Sequence, residues 1–195
     1  MSNKYLDIIK SQRESSKKEK FKGTFLEYLS LVEENPSLSD HAHKRLYDVI
    51  VDHGVGKMED SDPRKHKLFG GDNLKVYEYF DKHFFGMESV IARLMRYLRS
   101  AALKGEESRQ VLLLMGPVGA GKSALTEHIK SALDGQPYYH LEGDPQRGDP
   151  LQLVPRSLRD QMKEMLGVAI EGDISPVARH LLFEEYAGEY EKFPV

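Results

Sequence analysis

The sequence contains no cysteine. Disulfides, cysteine-ligated zinc and thiol catalysis are therefore excluded. It also lacks a long apolar run. The longest strongly apolar stretch is Val111–Met115, against the roughly 20 residues a helix needs to span a bilayer. The opening MSNKYLDIIKSQRESSKKEK holds no apolar segment long enough for a secretion signal, so a cytoplasmic, membrane-free location is expected. Positive charge is not in excess either: 28 Lys and Arg stand against 31 Asp and Glu, a formal net charge of −3. That balance argues against a broadly basic nucleic-acid coat. His41 and His43 are two residues apart and no H-E-x-x-H occurs, so no histidine-bound metal is expected. No G-x-S-x-G nucleophile elbow occurs.

What is present is a chain of 195 residues, 39% hydrophobic and 30% charged. This suits one large domain or two small ones with a buried core. Tyr5, Ile8, Ile9 and Gln12 fit one short helical stripe, and the following Lys17, Lys18, Lys20 and Lys22 read as a solvated face. Thr24-Phe25-Leu26-Glu27 has the form of a capping box, Phe25, Leu29 and Val32 recur at helical spacing, and Asn35-Pro36 stops the helix. Ser37 or Ser39 can cap a second helix bearing Ala42, Leu46, Val49 and Ile50, which Gly54 ends. Residues 54–73 are rich in glycine and charge and are expected to be a loop or linker.

A longer helix follows Phe84-Phe85-Gly86. Met87, Val90, Ile91, Leu94, Leu98 and Ala101 line one face, while Arg93, Arg96 and Arg99 lie elsewhere as a solvated face. It ends at Lys104-Gly105-Glu106-Glu107. Val111–Met115 reads as a strand buried on both faces, of the kind found in parallel sheets. A helix over about 121–133 and a strand over 137–141 complete one βαβ-type unit. A loop over 143–150 then leads to helices near 156–166 and 176–186.

Between the predicted strand and helix, Gly116-Pro117-Val118-Gly119-Ala120-Gly121-Lys122-Ser123 matches G-x-x-x-x-G-K-[ST], the phosphate-binding loop or Walker A motif. Gly116, Gly119 and Gly121 allow a tight turn that brings backbone amides to phosphate oxygens. The following helix start adds positive field. Lys122 is expected between the β- and γ-phosphates of ATP, and the Ser123 hydroxyl on Mg²⁺. Ala124 continues the cradle into the helix. A hydrolytic partner is harder to find. Asp52, Glu142 and Glu184 each follow a partly apolar run, but Asp52 and Glu184 fall on predicted helices and the run before Glu142 is polar. None fits the acidic strand end that such chemistry needs.

The run FFGMESVIARLMRYLRSAALKGEESRQVLLLMGPVGAGKSALTEHIKSAL (84–133) resembles the AAA+ module of PrkA-type bacterial serine protein kinases, as do the opening helices and ISPVARHLLFEEYAGEYEKFPV. The resemblance implies a truncated AAA+ ATP-binding region of a longer protein linked to stress responses and sporulation. It places Phe85-Gly86 beside adenine and the acidic motif, sensors and arginine finger beyond Val195. It also implies a protein substrate and a homo-oligomer in the parent. The family has a cysteine pair where this chain reads Ser175-Pro176-Val177-Ala178, so any metal or redox role of that pair is lost. The expected fold is α/β: a P-loop NTPase fragment over 74–195, its sheet incomplete, after a helical unit and linker over 1–73. Two other readings are an ATP-driven machine or regulatory ATP-binding module without phosphotransfer to protein, and a DNA-linked loader, which the acidic balance disfavours.

Overall fold

A computed structural model of the chain describes residues 5, 6, 10, 11, 21–69 and 74–195. Ile8, Ile9 and Gln12 of the opening stripe, and Lys17, Lys18 and Lys20, lie outside the described residues. Two compact units form, Met1–Ser39 with Pro137–Val195, and Asp40–Gln136. The packing thus divides at residues 39 and 136.

The split unit begins with helix α1, Phe25–Glu34. Its capping box is as the sequence predicts: the Thr24 amide donates to Glu27 Oε2 at 2.7 Å, and the Glu27 amide donates to Thr24 Oγ1 at 3.4 Å. Phe25, Tyr28 and Val32 are buried. They pack with Leu141, Leu151, Val154, Leu182 and Phe193 into one core. The Phe25 amide donates to the Phe193 carbonyl at 2.8 Å, and the Val195 amide to the Gly23 carbonyl at 2.9 Å.

The central unit begins with α2, Ala42–Asp52. Neither Ser37 nor Ser39 caps it. The cap residue is His41, while both serines belong to a short 3₁₀ turn, Pro36–Ser39, where Ser37 bonds Asn35 and Ser39 bonds Pro36. The expected linker contains regular structure. Strand β1, Val55–Lys57, and helix α3, Pro63–Phe69, lie inside it. β1 pairs antiparallel with β2, Lys75–Tyr77, in the register Val55↔Tyr77. Three-residue strands are too short to show a hydrophobic period, so pairing rather than pattern defines them. A short α4, Glu78–Asp81, leads to α5, Glu88–Ala102. On α5, Ile91, Leu94, Leu98 and Ala101 are buried as expected. Val90 is exposed instead, and Met95 takes a core position. Helix α6, Lys122–Ser131, closes the unit.

The remaining helices, α7 (Arg159–Leu166) and α8 (Pro176–Glu184), belong to the split unit and match the expected spans. Ser175 caps α8: the Ala178 amide donates to its Oγ at 3.0 Å, and its hydroxyl donates to the buried Asp144 at 2.8 Å.

The main departure concerns the predicted parallel strands. Among the described residues the one sheet is β1–β2, and neither 111–115 nor 137–141 forms a strand. Val111, Leu113 and Met115 are 93%, 72% and 84% exposed rather than buried. A doubly covered strand needs a hydrogen-bonded neighbour on its edge, and the described residues supply none. Residues 137–141 use their apolar side chains differently. Leu141 is fully buried and donates its amide to the Gly148 carbonyl at 3.1 Å, while the Tyr139 ring lies 5.1 Å from that of Tyr28. The βαβ expectation is therefore not met. No helix among the described residues is long and apolar enough to cross a membrane.

Candidate nucleotide-binding site

Helix α6 is held at two points along its buried side. Leu125 is 2% exposed and joins the core formed by Ile50, Phe80, Phe84, Ile91 and Leu98. One turn later, His128 stacks on Tyr79 with ring centroids 4.4 Å apart. The Tyr79 hydroxyl donates to the His128 carbonyl at 2.6 Å, and His128 Nε2 lies 2.9 Å from the Tyr79 carbonyl. This reciprocal pair joins residues 49 apart in the chain. No motif in the sequence marks it. The only available signal is an aromatic residue and a histidine each at a core-facing helical position.

The loop 116–120 enters this anchored helix from the solvent side, and all five residues are exposed. Gly119 and Gly121 have φ of +81° and +76°. These left-handed values are strained for residues with a Cβ. Gly116 has no such requirement, and a Cβ there would meet only ordinary contacts at 3.7 Å and beyond. Two of the three motif glycines are thus conformationally required. The Ala120 amide donates to the Pro117 carbonyl at 3.3 Å, which tightens the turn, and Val118 stands fully exposed at its tip.

Lys122 opens α6 and folds its side chain back over the loop. Its Nζ donates to the Gly116 carbonyl at 2.8 Å and to the Pro117 carbonyl at 2.6 Å. Ser123 and Ala124, the next two residues, are exposed. The first amides of a helix have no carbonyl one turn earlier to bond. They add to the positive end of the helix field beside the lysine. An exposed loop with two left-handed glycines, an ammonium over it and a hydroxyl at the helix start fits a magnesium-bound polyphosphate by its donor set.

Phe85 and Gly86 lie in the chain between two residues that touch α6 and its cap. Phe84 and His128 have ring centroids 5.4 Å apart, and Met87 Sδ lies 3.7 Å from where a Gly121 Cβ would stand. Phe85 is 75% exposed and Gly86 has φ +76°. The three weighed carboxylates do not join them. Asp52 ends α2 in the central unit and is exposed. Glu142 and Glu184 belong to the split unit. Glu142 pairs with Lys22 at 3.6 Å, and Glu184 ends α8. Among the described residues, no group of three or more His, Asp or Glu side chains could hold a metal.

The model of the family described as the PrkA AAA domain matches residues 23–195. The ATP-dependent protease PrkA of Bacillus subtilis (strain 168) is 36% identical over 97% of this chain and 30% of its own length. The serine/threonine kinase YeaG of Escherichia coli (strain K12) is 36% identical over 72% of this chain and 21% of its own. A Lon protease of Karelsulcia muelleri (strain GWSS) is 29% identical over 65% of this chain and 14% of its own. The chain therefore spans less than a third of the length of these relatives. No solved structure matches it. With the family match beginning at residue 23, the opening helices fall inside the matched domain, and the chain belongs to the PrkA AAA domain family.

Proposed function

We propose that the chain binds Mg²⁺-ATP through residues 116–124 and forms the nucleotide-dependent part of a PrkA-type serine/threonine kinase. The observation that carries this is the loop itself. Gly119 and Gly121 adopt left-handed conformations ahead of a helix whose first two residues are Lys122 and Ser123. In this reading Gly116, Pro117, Val118, Gly119, Ala120 and Gly121 wrap the phosphates. Lys122 exchanges its two loop carbonyls for β- and γ-phosphate oxygens, and Ser123 ligates Mg²⁺. Phe85 and Gly86 flank adenine. The ion supplies charge neutralisation to the phosphates.

A protein substrate belongs to the same proposal, supported by the kinase-named relative; homo-oligomeric assembly of the parent rests on the family resemblance alone. A second reading, an ATP-driven machine acting on polypeptides without phosphotransfer, is favoured by the relatives named as ATP-dependent or Lon proteases. Stress and sporulation roles rest on the family resemblance alone.

Calorimetric titration with Mg²⁺-ATP tests the shared core of both readings. Charge-assisted contacts run about 1.5–3 kcal/mol, so Lys122→Ala should weaken binding roughly ten- to a hundredfold. Unchanged affinity would remove the site. Adding casein, a generic protein phosphoacceptor, and separately following its cleavage would distinguish kinase from protease in the full-length parent.

A further inference from the structure

The arginine stripe of α5 lies along a groove. Arg93, Arg96 and Arg99 are exposed, and none of their side chains makes a hydrogen bond or ion pair with the described residues. Together they form one wall of a groove of about 590 Å³. Lys75 and Tyr77 of β2 and Tyr47 of α2 also line it. Four cations line this groove, and among its described lining residues there is no Asp or Glu. Burial pushes the Tyr77 phenol above its ordinary value, and the Tyr47 hydroxyl adds to that, against an opposing pull from Arg99. The phenol is therefore a hydrogen-bond donor at neutral pH.

We propose that this groove binds an extended anionic peptide, with carboxylate or phosphoryl groups on alternate residues. The spacing selects that form. Positions i, i+3 and i+6 of a helix climb about 4.5 Å per step while turning back around the axis, so the guanidiniums follow a slanted line about 9 Å long. Alternate side chains of an extended peptide point the same way about 6.6 Å apart, within that line. Guanidinium forks match both carboxylate and phosphoryl geometry. Single-stranded nucleic acid is the poorer occupant. Its bases need open aromatic faces, whereas Tyr77 is 8% exposed and Tyr47 is half-buried. The chain's net charge of −3 also opposes a long polyanion. The groove shares no lining residue with the loop 116–124, so this proposal does not depend on nucleotide binding.

Fluorescence anisotropy on the full chain at about 150 mM salt, near the physiological screening regime, is the test. The probes are labelled peptides carrying Glu-x-Glu, phosphoserine-x-phosphoserine and Gln-x-Gln, with a single-stranded oligonucleotide as comparison. Both anionic peptides should bind and the neutral one should not. Tighter binding of the phosphopeptide names a phosphoryl source, and equal binding names an acidic segment. Arg96→Glu should lose at least about tenfold in affinity, as one lost charge-assisted contact implies. The milder double variant Arg93→Gln/Arg99→Gln should lose a similar amount with circular dichroism unchanged. Lys122→Ala and saturating Mg²⁺-ATP should leave peptide affinity as it was. Absence of binding, insensitivity to both arginine variants, displacement by ATP, or an oligonucleotide binding as tightly as the peptides would each overturn the proposal.

Discussion

Phe85 and Phe84 are neighbours with opposite fates. Phe84 is 8% exposed within the central core, whereas Phe85 is 75% exposed next to a left-handed Gly86. A large exposed ring beside a phosphate-type loop gives apolar surface for a base to cover. Phe85→Ala should therefore weaken ATP and ADP alike in calorimetric titration while sparing inorganic triphosphate. Equal weakening of all three would mean the substitution loosens the core instead. A different residue contributes to acid sensitivity in the split unit. Asp144 is 4% exposed. Burial opposes its charge, but the Ser175 hydroxyl, the Gly148 and Gln146 amides and nearby His140 outweigh that and hold the carboxyl below its ordinary 3.8. The sign follows: with a depressed folded value, its stabilisation is complete above the unfolded value of about 4 and is lost as pH falls through the folded one. Asp144→Asn should cost about 1–3 kcal/mol at pH 7 and flatten the loss of stability below pH 4. Urea denaturation at several pH values measures both. A variant that keeps the wild-type pH dependence would assign the acid sensitivity elsewhere.

Among the elements, the segment 111–115 is where composition and structure part most clearly. Five consecutive apolar residues next to a phosphate-loop motif have the makeup of a buried strand. Yet no described residue pairs with them, and Val111 is 93% exposed. Their amides should exchange with deuterium far faster than those of α5, whose buried face carries Ile91, Leu94, Met95 and Leu98. Slow exchange at 111–115 in a dilute sample would show that they find a partner strand. In a concentrated sample, slow exchange with a larger mass would show association through an open edge. The helices were far more legible because their information is local. The α1 capping box sits in four adjacent residues, and the α5 stripe repeats over four turns. The glycine-rich turn at 116–121 is legible for the same reason, although only two of its three glycines prove conformationally necessary. What escaped is non-local. The Tyr79–His128 pair, the β1–β2 pairing and the Ser175–Asp144 bond join residues 49, about 20 and 31 apart. No periodicity encodes such partners. The groove of α5 escaped for a related reason: its arginines are readable as a face, but Lys75, Tyr47 and Tyr77 reach it only through folding.

At the scale of the whole molecule, the central unit is a single stretch of chain, while the split unit is assembled from segments on both sides of it. The central unit contains the phosphate loop, Phe85-Gly86 and the arginine groove; each unit has its own core. A ligand at the phosphate loop should therefore slow deuterium exchange first within 40–136, by the linkage that stabilises whatever binds it. Hydrolysis is a separate requirement, because a carboxylate must orient water or hold the ion's water shell against the γ-phosphate. Of the three weighed acids, only Asp52 shares the loop's unit, and it lies at the exposed end of a helix. Glu142 is engaged with Lys22, and Glu184 ends α8. This chain should thus bind Mg²⁺-ATP yet turn it over far below about 1 s⁻¹, the low end for ordinary enzymes. Phosphate release measured beside calorimetric binding on one preparation checks the two halves together, with Lys122→Ala as the blank. Turnover near 1 s⁻¹ that collapses in Asp52→Asn would instead make the end of α2 the source of the hydrolytic carboxylate. Equal turnover in Asp52→Asn, Glu142→Gln and Glu184→Gln would place it on an acid outside these three.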